Sequence, residues 1–384
     1  MVLCPGAEPI SYRSWTTQES LLSTRLLIYG RLQLFWLCRC KFASDGGYMD
    51  WNDFASHAAW LRLQIEDNDN VVDEDEIALQ NELHLDLPPG CASYSKIHQE
   101  WTRIVNSYSG RLLTYNTDKL PALSAIAALF QEKLNDEYIC GLWRLAVLFD
   151  LMWVPAKRWI EKKHNENDYI GPSWSWISYP DLVRYVGRWG DHHEIAKVVS
   201  FSATPTYSFA PFGQILPDAE LTLEAPLLHG VKLARTEKDT ATDGGYPIHL
   251  PTALPSATSS EPNQCTLIGT FHPDYPHILQ SLDSSPDPTL YCLILHGSPH
   301  PNGLVLIPYT PVTGINSING NHNRFQRIGT FEQYSHKLRN ANMLQFDGCG
   351  CSHEKLDDRA KEKEDEDLER YLTVLLQRRI VVLV

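Results

Sequence analysis

The sequence lacks the glycine signatures of nucleotide binding. Neither GxxxxGK[ST] nor GxGxxG occurs, and the nearest run, "DGCGC" at Asp347–Cys351, has no strand-to-helix context around it. GxSxG and a cysteine-nucleophile signature are also missing, so a hydrolase triad has no support. CxxC pairs are absent. The cluster Cys349, Cys351, His353 therefore has no second half with which to build a zinc knuckle, and Cys38 with Cys40 fares no better. Basic charge is scarce: 33 Lys and Arg against 47 Asp and Glu leave a net charge of −14. That argues against a general binder of nucleic acid or anionic membrane, although a local basic patch stays open. The most apolar stretch, Tyr138–Val154, carries Arg144 and Asp150 and falls short of the ~20 clean apolar residues of a membrane span. The start, "MVLCPGAEPIS", shows no charged n-region and no long apolar segment, so no signal peptide is expected. The expectation is no cofactor, no metal site, no nucleic acid and no membrane.

What is present is ordinary globular material. Of 384 residues, 43% are hydrophobic and 21% charged, and eleven tryptophans can fill a large core. Nine cysteines, an odd number without regular spacing, point to a reducing compartment and hence a cytoplasmic protein. The pattern predicts an α+β chain in four parts. Residues 1–40 hold a helix and two strands, "RLLIYG" and "LQLFWLC", around a turn at Gly30–Arg31. Residues 41–92 read as a polar, acidic, partly disordered insertion; "DNDNVVDEDE" within it lacks the Gly and the closing Glu of a calcium loop. Residues 93–194 read as a helical middle region. Ile97, Trp101, Ile104 and Tyr108 share one helix face ending at a Gly110 cap. Leu123, Ile126, Ala127, Phe130 and Leu134 stripe a second helix that starts near Pro121, and Tyr138–Trp153 reads as a third, central helix. Residues 195–384 read as a β-rich domain, sandwich or barrel-like, with a late charged helix before a terminal strand, "RIVVLV".

Four groups are candidates for chemistry. Thr16 and Glu19 fit a capping box; alternatively Glu19 is a carboxylate at a helix N-terminus beside Trp15, facing a cleft and orienting a ligand hydroxyl or a developing positive charge. Trp174 and Trp176 alternate with Ser173 and Ser175 in an extended segment; they either stack a ligand or fill the core. His192 and His193, between Asp191 and Glu194, are either a base or a polar turn. The β-rich part could also serve as a non-enzymatic binding module.

Several stretches together resemble the fungal heterokaryon-incompatibility (HET) domain proteins. "RSWTTQESLLSTRLLIYGRLQLFWLC", with its Trp-x-x-Gln-Glu helix, is similar to the closing part of that domain. "WTRIVNSYSGRLLTYNTDKLPALSAIA", "YICGLW", "PSWSWIS", "GLVL" and "RIGTF" follow in the family's order. The family positions are Trp15, Gln18, Glu19, Trp174 and Trp176. The family's opening Tyr-x-x-Leu-Ser-Tyr-x-Trp-Gly and Ile-Asp-x-x-Cys-Ile-x-Gln segments do not occur in this sequence. The resemblance thus implies a chain holding only the C-terminal remnant of an α/β HET domain, a truncation or a late start of the gene model. It implies a role in fungal non-self recognition and programmed cell death, exerted through unidentified protein partners and without an intact effector activity. HET domains have been likened to TIR domains, whose Trp-Cys-x-x-Glu helix supplies a Glu for NAD cleavage. On that likeness Glu19, four residues after Trp15, would be the inherited catalytic position, with its cofactor pocket missing.

Overall fold

The computed structural model describes residues 9–38, 42–46, 91–156, 169–185, 194–233, 245–251, 265–275, 278, 282, 289–297, 302–309, 323–332 and 378–384. His192, His193, the acidic run 66–76, the Cys349–His353 cluster and the charged stretch 354–377 lie outside them. The described part is α+β, with helices beside antiparallel sheets.

The N-terminal unit comprises helix α1 (Trp15–Leu22) and strands β1 (Arg25–Tyr29), β2 (Leu34–Cys38) and β3 (Phe42–Ser44), paired in that order. β3 falls within the stretch whose composition reads as irregular. Backbone contacts tie this unit to the body. Arg13 bridges Leu112, the Leu112 N–H donates to the Tyr12 carbonyl (2.6 Å), and the Ser14 N–H donates to the Leu112 carbonyl (3.0 Å).

Helix α2 (Cys91–Tyr108) buries Trp101, Ile104 and Tyr108 on the face its periodicity predicts. Gly110 does not take the left-handed cap conformation. It is small because a Cβ there would sit 3.0 Å from the Leu182 side chain. A single 3-10 turn, Pro121–Leu123, leads into α3 (Ser124–Leu134), which buries Ile126, Ala127, Phe130 and Leu134 and ends on left-handed Asn135 (φ 49°).

The third helix does not form. Tyr138–Trp153 is instead a hairpin, β4 (Tyr138–Ile139) and β5 (Leu142–Trp143), then one helical turn, α4 (Val147–Asp150). Cys140 (φ 49°) and Gly141 (φ 91°) supply the two positive φ values that a tight two-residue hairpin turn requires. Apart from the exposed Arg144 and Leu145 the segment is largely buried, and a nearly continuous apolar run does not distinguish helix from short strands. Two-residue strands β6 (Val154–Pro155) and β7 (Val183–Arg184) pair next to it.

The remaining strands are β8 (Lys197–Ser202), β9 (Glu220–Leu233), β10 (Tyr246–Pro251), β11 (Cys265–Pro273), β12 (Leu290–His296), β13 (Asn302–Pro308), β14 (Arg324–Glu332) and β15 (Arg378–Leu383). β10 has no clear alternation and holds Pro247 and Pro251, which hid it. The long β9 is the spine. Its first half pairs with β8 and β15, and its second half with β12 and β10. The antiparallel path β9–β12–β13–β14–β11–β10 therefore returns to β9. Gly230 (φ 74°) is the extra residue of a bulge in β9, between Val231 paired with Leu290 and His229 paired with Tyr291.

The sheet is covered on both faces. Leu290, Cys292, Ile294, Val305, Ile328 and Phe331 pack into one apolar cluster. Leu293, Leu295, Leu304, Leu306, Phe325 and Val381 join the larger cluster built by α2, α3 and the tryptophans. Strands with both faces buried read as continuous apolar runs, which is why "LYCLILH" and "GLVLIP" show no polar alternation.

Candidate functional site

Helix α1 carries the Trp-x-x-Gln-Glu stretch, and its geometry corrects the capping box. The N-cap is Ser14, in helical conformation and without a side-chain cap bond. Thr16 Oγ1 donates backward to the Arg13 carbonyl (2.7 Å) and the Ile10 carbonyl (3.0 Å). Glu19 is the fifth of eight helical residues, beyond the first turn where the N-terminal partial charge acts. Its side chain is exposed.

The neighbouring family positions dock the helix. Gln18 Oε1 accepts from the Ala125 N–H (3.2 Å), an otherwise free first-turn donor of α3. Trp15 Nε1 reaches Asp118 Oδ2 (3.4 Å), while the ring stays 40% exposed. Arg111 reaches Thr16 Oγ1 (3.4 Å).

Trp174 and Trp176 sit in a second constellation, a closed aromatic cage. Both are fully buried, with Trp101, Trp143 and Trp153. Their segment is not extended: a turn leads into a 3-10 helix at Trp176–Ser178, and Ser175 is buried with its neighbours. The reason is hydrogen bonding. Ser175 Oγ donates to the Cys140 carbonyl (2.6 Å) and also accepts from the Ile177 N–H (3.3 Å). Trp101 Nε1 (3.3 Å) and Trp176 Nε1 (2.9 Å) converge on one acceptor, the Gly141 carbonyl. Trp101 meets Trp143 edge to face at 5.4 Å. Each such ring removes on the order of 200 Å² from water, about 5 kcal/mol of transfer free energy.

Three charged devices lie inside this body, and none was singled out from sequence. Lys119 Nζ donates to the Tyr179 carbonyl and lies 5.2 Å from the Trp176 ring centre. Burial lowers its pKa to about 7, with Asp181 opposing. Arg327 forks onto Asp274 through two 2.9 Å bonds and donates to the Leu151 and Trp153 carbonyls. Its guanidinium lies 3.7 Å from the Trp153 ring centre. Burial pushes the Asp274 carboxyl up and Arg327 pulls it back. The two parallel bonds match the planar guanidinium to both carboxylate oxygens, which fixes their relative orientation. His98 Nε2 meets Asp150 Oδ1 at 2.8 Å, and Asp150 Oδ2 accepts from the Trp143 N–H (2.9 Å). A signal did exist for two of these charges: Asp150 interrupts the Tyr138–Val154 apolar run, and Arg327 breaks the apolar alternation of "FQRIGTF".

These groups anchor chain segments to each other and are buried. His98 and Asp150 are 1% and 0% exposed, Arg327 and Asp274 0% and 3%. Among the described residues, no three His, Cys, Asp or Glu side chains gather as a metal site, and no helix is long and apolar enough to cross a membrane. The thiols Cys140 and Cys292 form no disulfide, and burial pushes both well above the usual thiol range.

Exposed apolar side chains occur in more than one place among the described residues: Tyr207 and Phe209 stack at 5.4 Å while 55% and 84% exposed, and the three-stranded sheet presents a second group. In register, Leu27 faces Trp36 and Tyr29 faces Leu34, so these four share one side with Arg25. Leu27 is 46% exposed, Tyr29 77% and Trp36 37%, with Leu32 at 61% on the connecting turn. The other side carries Ile28 and the buried Phe35. No family model matches this chain, and no curated protein or solved structure is similar to it.

Proposed function

We propose that the chain works in the cytosol through contacts with other proteins, in the heterokaryon-incompatibility class, and without an effector active site of its own. On this reading α1 and its three strands are the remnant of a HET domain, and the closed β9–β14 path is a barrel-like C-terminal module. The supporting observation is the division of the aromatic residues. Trp101, Trp143, Trp153, Trp174 and Trp176 are sealed in the body, whereas the sheet beside α1 exposes Leu27, Tyr29 and Trp36 together on one face. Large exposed apolar faces mark interaction sites. Glu19, at mid-helix on an exposed surface, fits a surface role better than a general acid or nucleophile.

The test is genetic. The full chain is expressed in a filamentous fungus, and the strain is fused with genetically distinct partners. The expected result is growth arrest or death of fused cells that depends on the chain and survives Glu19→Ala. Fusion without any chain-dependent arrest counts against the reading. Arrest abolished by Glu19→Ala, with nicotinamide released from NAD by the purified chain, favours the enzymatic alternative.

A further inference from the structure

The loop that joins β8 to β9 ends in an apolar tip. Phe209 is the most exposed large apolar side chain of the described residues, and Tyr207 stacks on it with an interplanar angle of 26°. Leu216, 41% exposed, and the exposed Pro211 belong to the same loop.

The loop is built to hold these groups outward. Pro205 bridges Ile215, the Thr206 N–H donates to the Gln214 carbonyl (2.7 Å), and the Leu216 N–H donates to the Thr204 carbonyl (2.8 Å). Tighter turns close the end: the Ala210 N–H donates to the Tyr207 carbonyl and the Gly213 N–H to the Ala210 carbonyl, both at 2.9 Å. Phe212 and Ile215 turn the other way. The Phe212 ring lies 5.4 Å from Tyr138, and Ile215 is buried in the larger core cluster. The loop therefore has an anchored apolar side and a presented one.

Three features select what the presented side meets. Residues 198–217 carry no charged side chain, and the acids that follow are answered within the fold: Asp218 accepts from the Thr204 N–H (3.3 Å) and hydroxyl (2.5 Å), and Glu220 pairs with Arg324. Neither is left to orient a charged partner, as the rim of a protein interface does. The backbone asks little of water. Pro205, Pro211 and Pro217 have no N–H, and those of Thr204, Thr206, Ala210, Gly213 and Leu216 are bonded within the loop. The tip is convex and made of Tyr, Phe, Leu and Pro, with the neutral Ser208 between its two rings; aromatic groups of this kind settle at the boundary between headgroups and acyl chains.

We propose that this tip inserts into the interface of a neutral, zwitterionic lipid bilayer. Phe209 and Tyr207 enter the boundary layer, and Leu216 and Pro211 cover its rim. The net charge of −14 sets the lipid class, because an anionic surface repels the chain. A few side chains give a shallow, reversible attachment, short of a stable anchor. The proposal goes beyond the protein-contact reading and does not depend on it.

The experiment floats the purified full chain with phosphatidylcholine vesicles through a density gradient. Part of the chain is expected to rise with the lipid, in a fraction that grows with lipid concentration and does not fall as salt is raised. Tyr207→Ser with Phe209→Ser should lower the partition coefficient roughly tenfold or more. Ser208→Asp should lower it too, although both rings remain, because a charge then enters the boundary. Tyr207→Phe with Phe209→Leu should keep it. Replacing part of the phosphatidylcholine with phosphatidylserine should weaken flotation, and added salt should restore it. Circular dichroism of each variant must match the parent.

No flotation at millimolar phosphatidylcholine overturns the proposal. So does flotation that the paired serine substitutions leave unchanged, or that high salt abolishes on phosphatidylcholine alone. Concentration-dependent dimerisation lost in Phe209→Ser, without flotation of the parent, assigns the tip to a second copy and overturns it as well. Flotation without any fusion phenotype leaves this inference standing and sinks the incompatibility reading.

Discussion

Two hairpins in this molecule are built from the same kinds of residue and meet opposite fates. The β4–β5 hairpin presents Tyr138, Leu142 and Trp143 and is sealed inside the cage, with Trp143 fully buried. The β1–β2 hairpin presents Leu27, Tyr29 and Trp36 and leaves Tyr29 77% exposed. Composition does not separate them. The neighbours do: the inner hairpin's turn carbonyl at Gly141 accepts two indole N–H groups, and α2, α3 and the large sheet close around it. Apolar strands create a demand for cover, and only the rest of the chain or a partner can meet it.

Breaking the inner anchors should produce the largest effects. Arg327→Ala leaves Asp274 buried without its counter-ion and strips a donor from the Leu151 and Trp153 carbonyls. The expected loss is about 3–5 kcal/mol in urea unfolding. A cost below about 1 kcal/mol would show that the fork does not hold the sheet to the 151–153 segment. Gly141→Ala comes next. It forces a Cβ to 2.7 Å from Trp176 Nε1 at a φ of 91°. Left-handed strain and overpacking together predict a loss of about 2–4 kcal/mol.

Lys119 gives a smaller, pH-dependent signature. Its pKa falls from an unfolded value of roughly 10.4 to about 7 in the fold. Between those values the unfolded chain binds more protons, so stability rises with pH across that window, by on the order of 1 kcal/mol per unit. Lys119→Met should flatten the rise in thermal unfolding scans between pH 7 and pH 10, the window set by those two pKa values. An unchanged slope would place the titrating group elsewhere.

The same contrast shows how much of the fold could be read in advance. Helices α2 and α3 were legible because their apolar residues recur at helical spacing on one covered side. Strands β8, β9 and β11 to β15 were legible from β-branched and leucine-rich runs between turns, although β12 and β13 lack alternation. The β4–β5 hairpin was not legible, because burial on nearly every side erases periodicity and Cys140 gives no hint that it adopts φ 49°. β10 was hidden by its two prolines. The α1 motif was visible as residues, but its roles were not. Gln18 caps α3 across 107 positions of sequence, a pairing no local pattern encodes. The exposed face did leave a trace, since "RLLIY" is apolar at four of five positions and so has no polar side to give to water.

The smallest expected effect tests the comparison from its open side. Tyr29→Ser removes the most exposed ring of the N-terminal face and no hydrogen bond or core contact of the described residues. Surface substitutions of this kind change global stability by less than about 0.5 kcal/mol. The urea midpoint and slope of Tyr29→Ser should therefore overlay those of the parent. A loss above about 1 kcal/mol would mean that the ring is already covered within the free chain. The two hairpins would then differ in which segment covers them and no longer in whether they are covered, and the face would have no room for a partner.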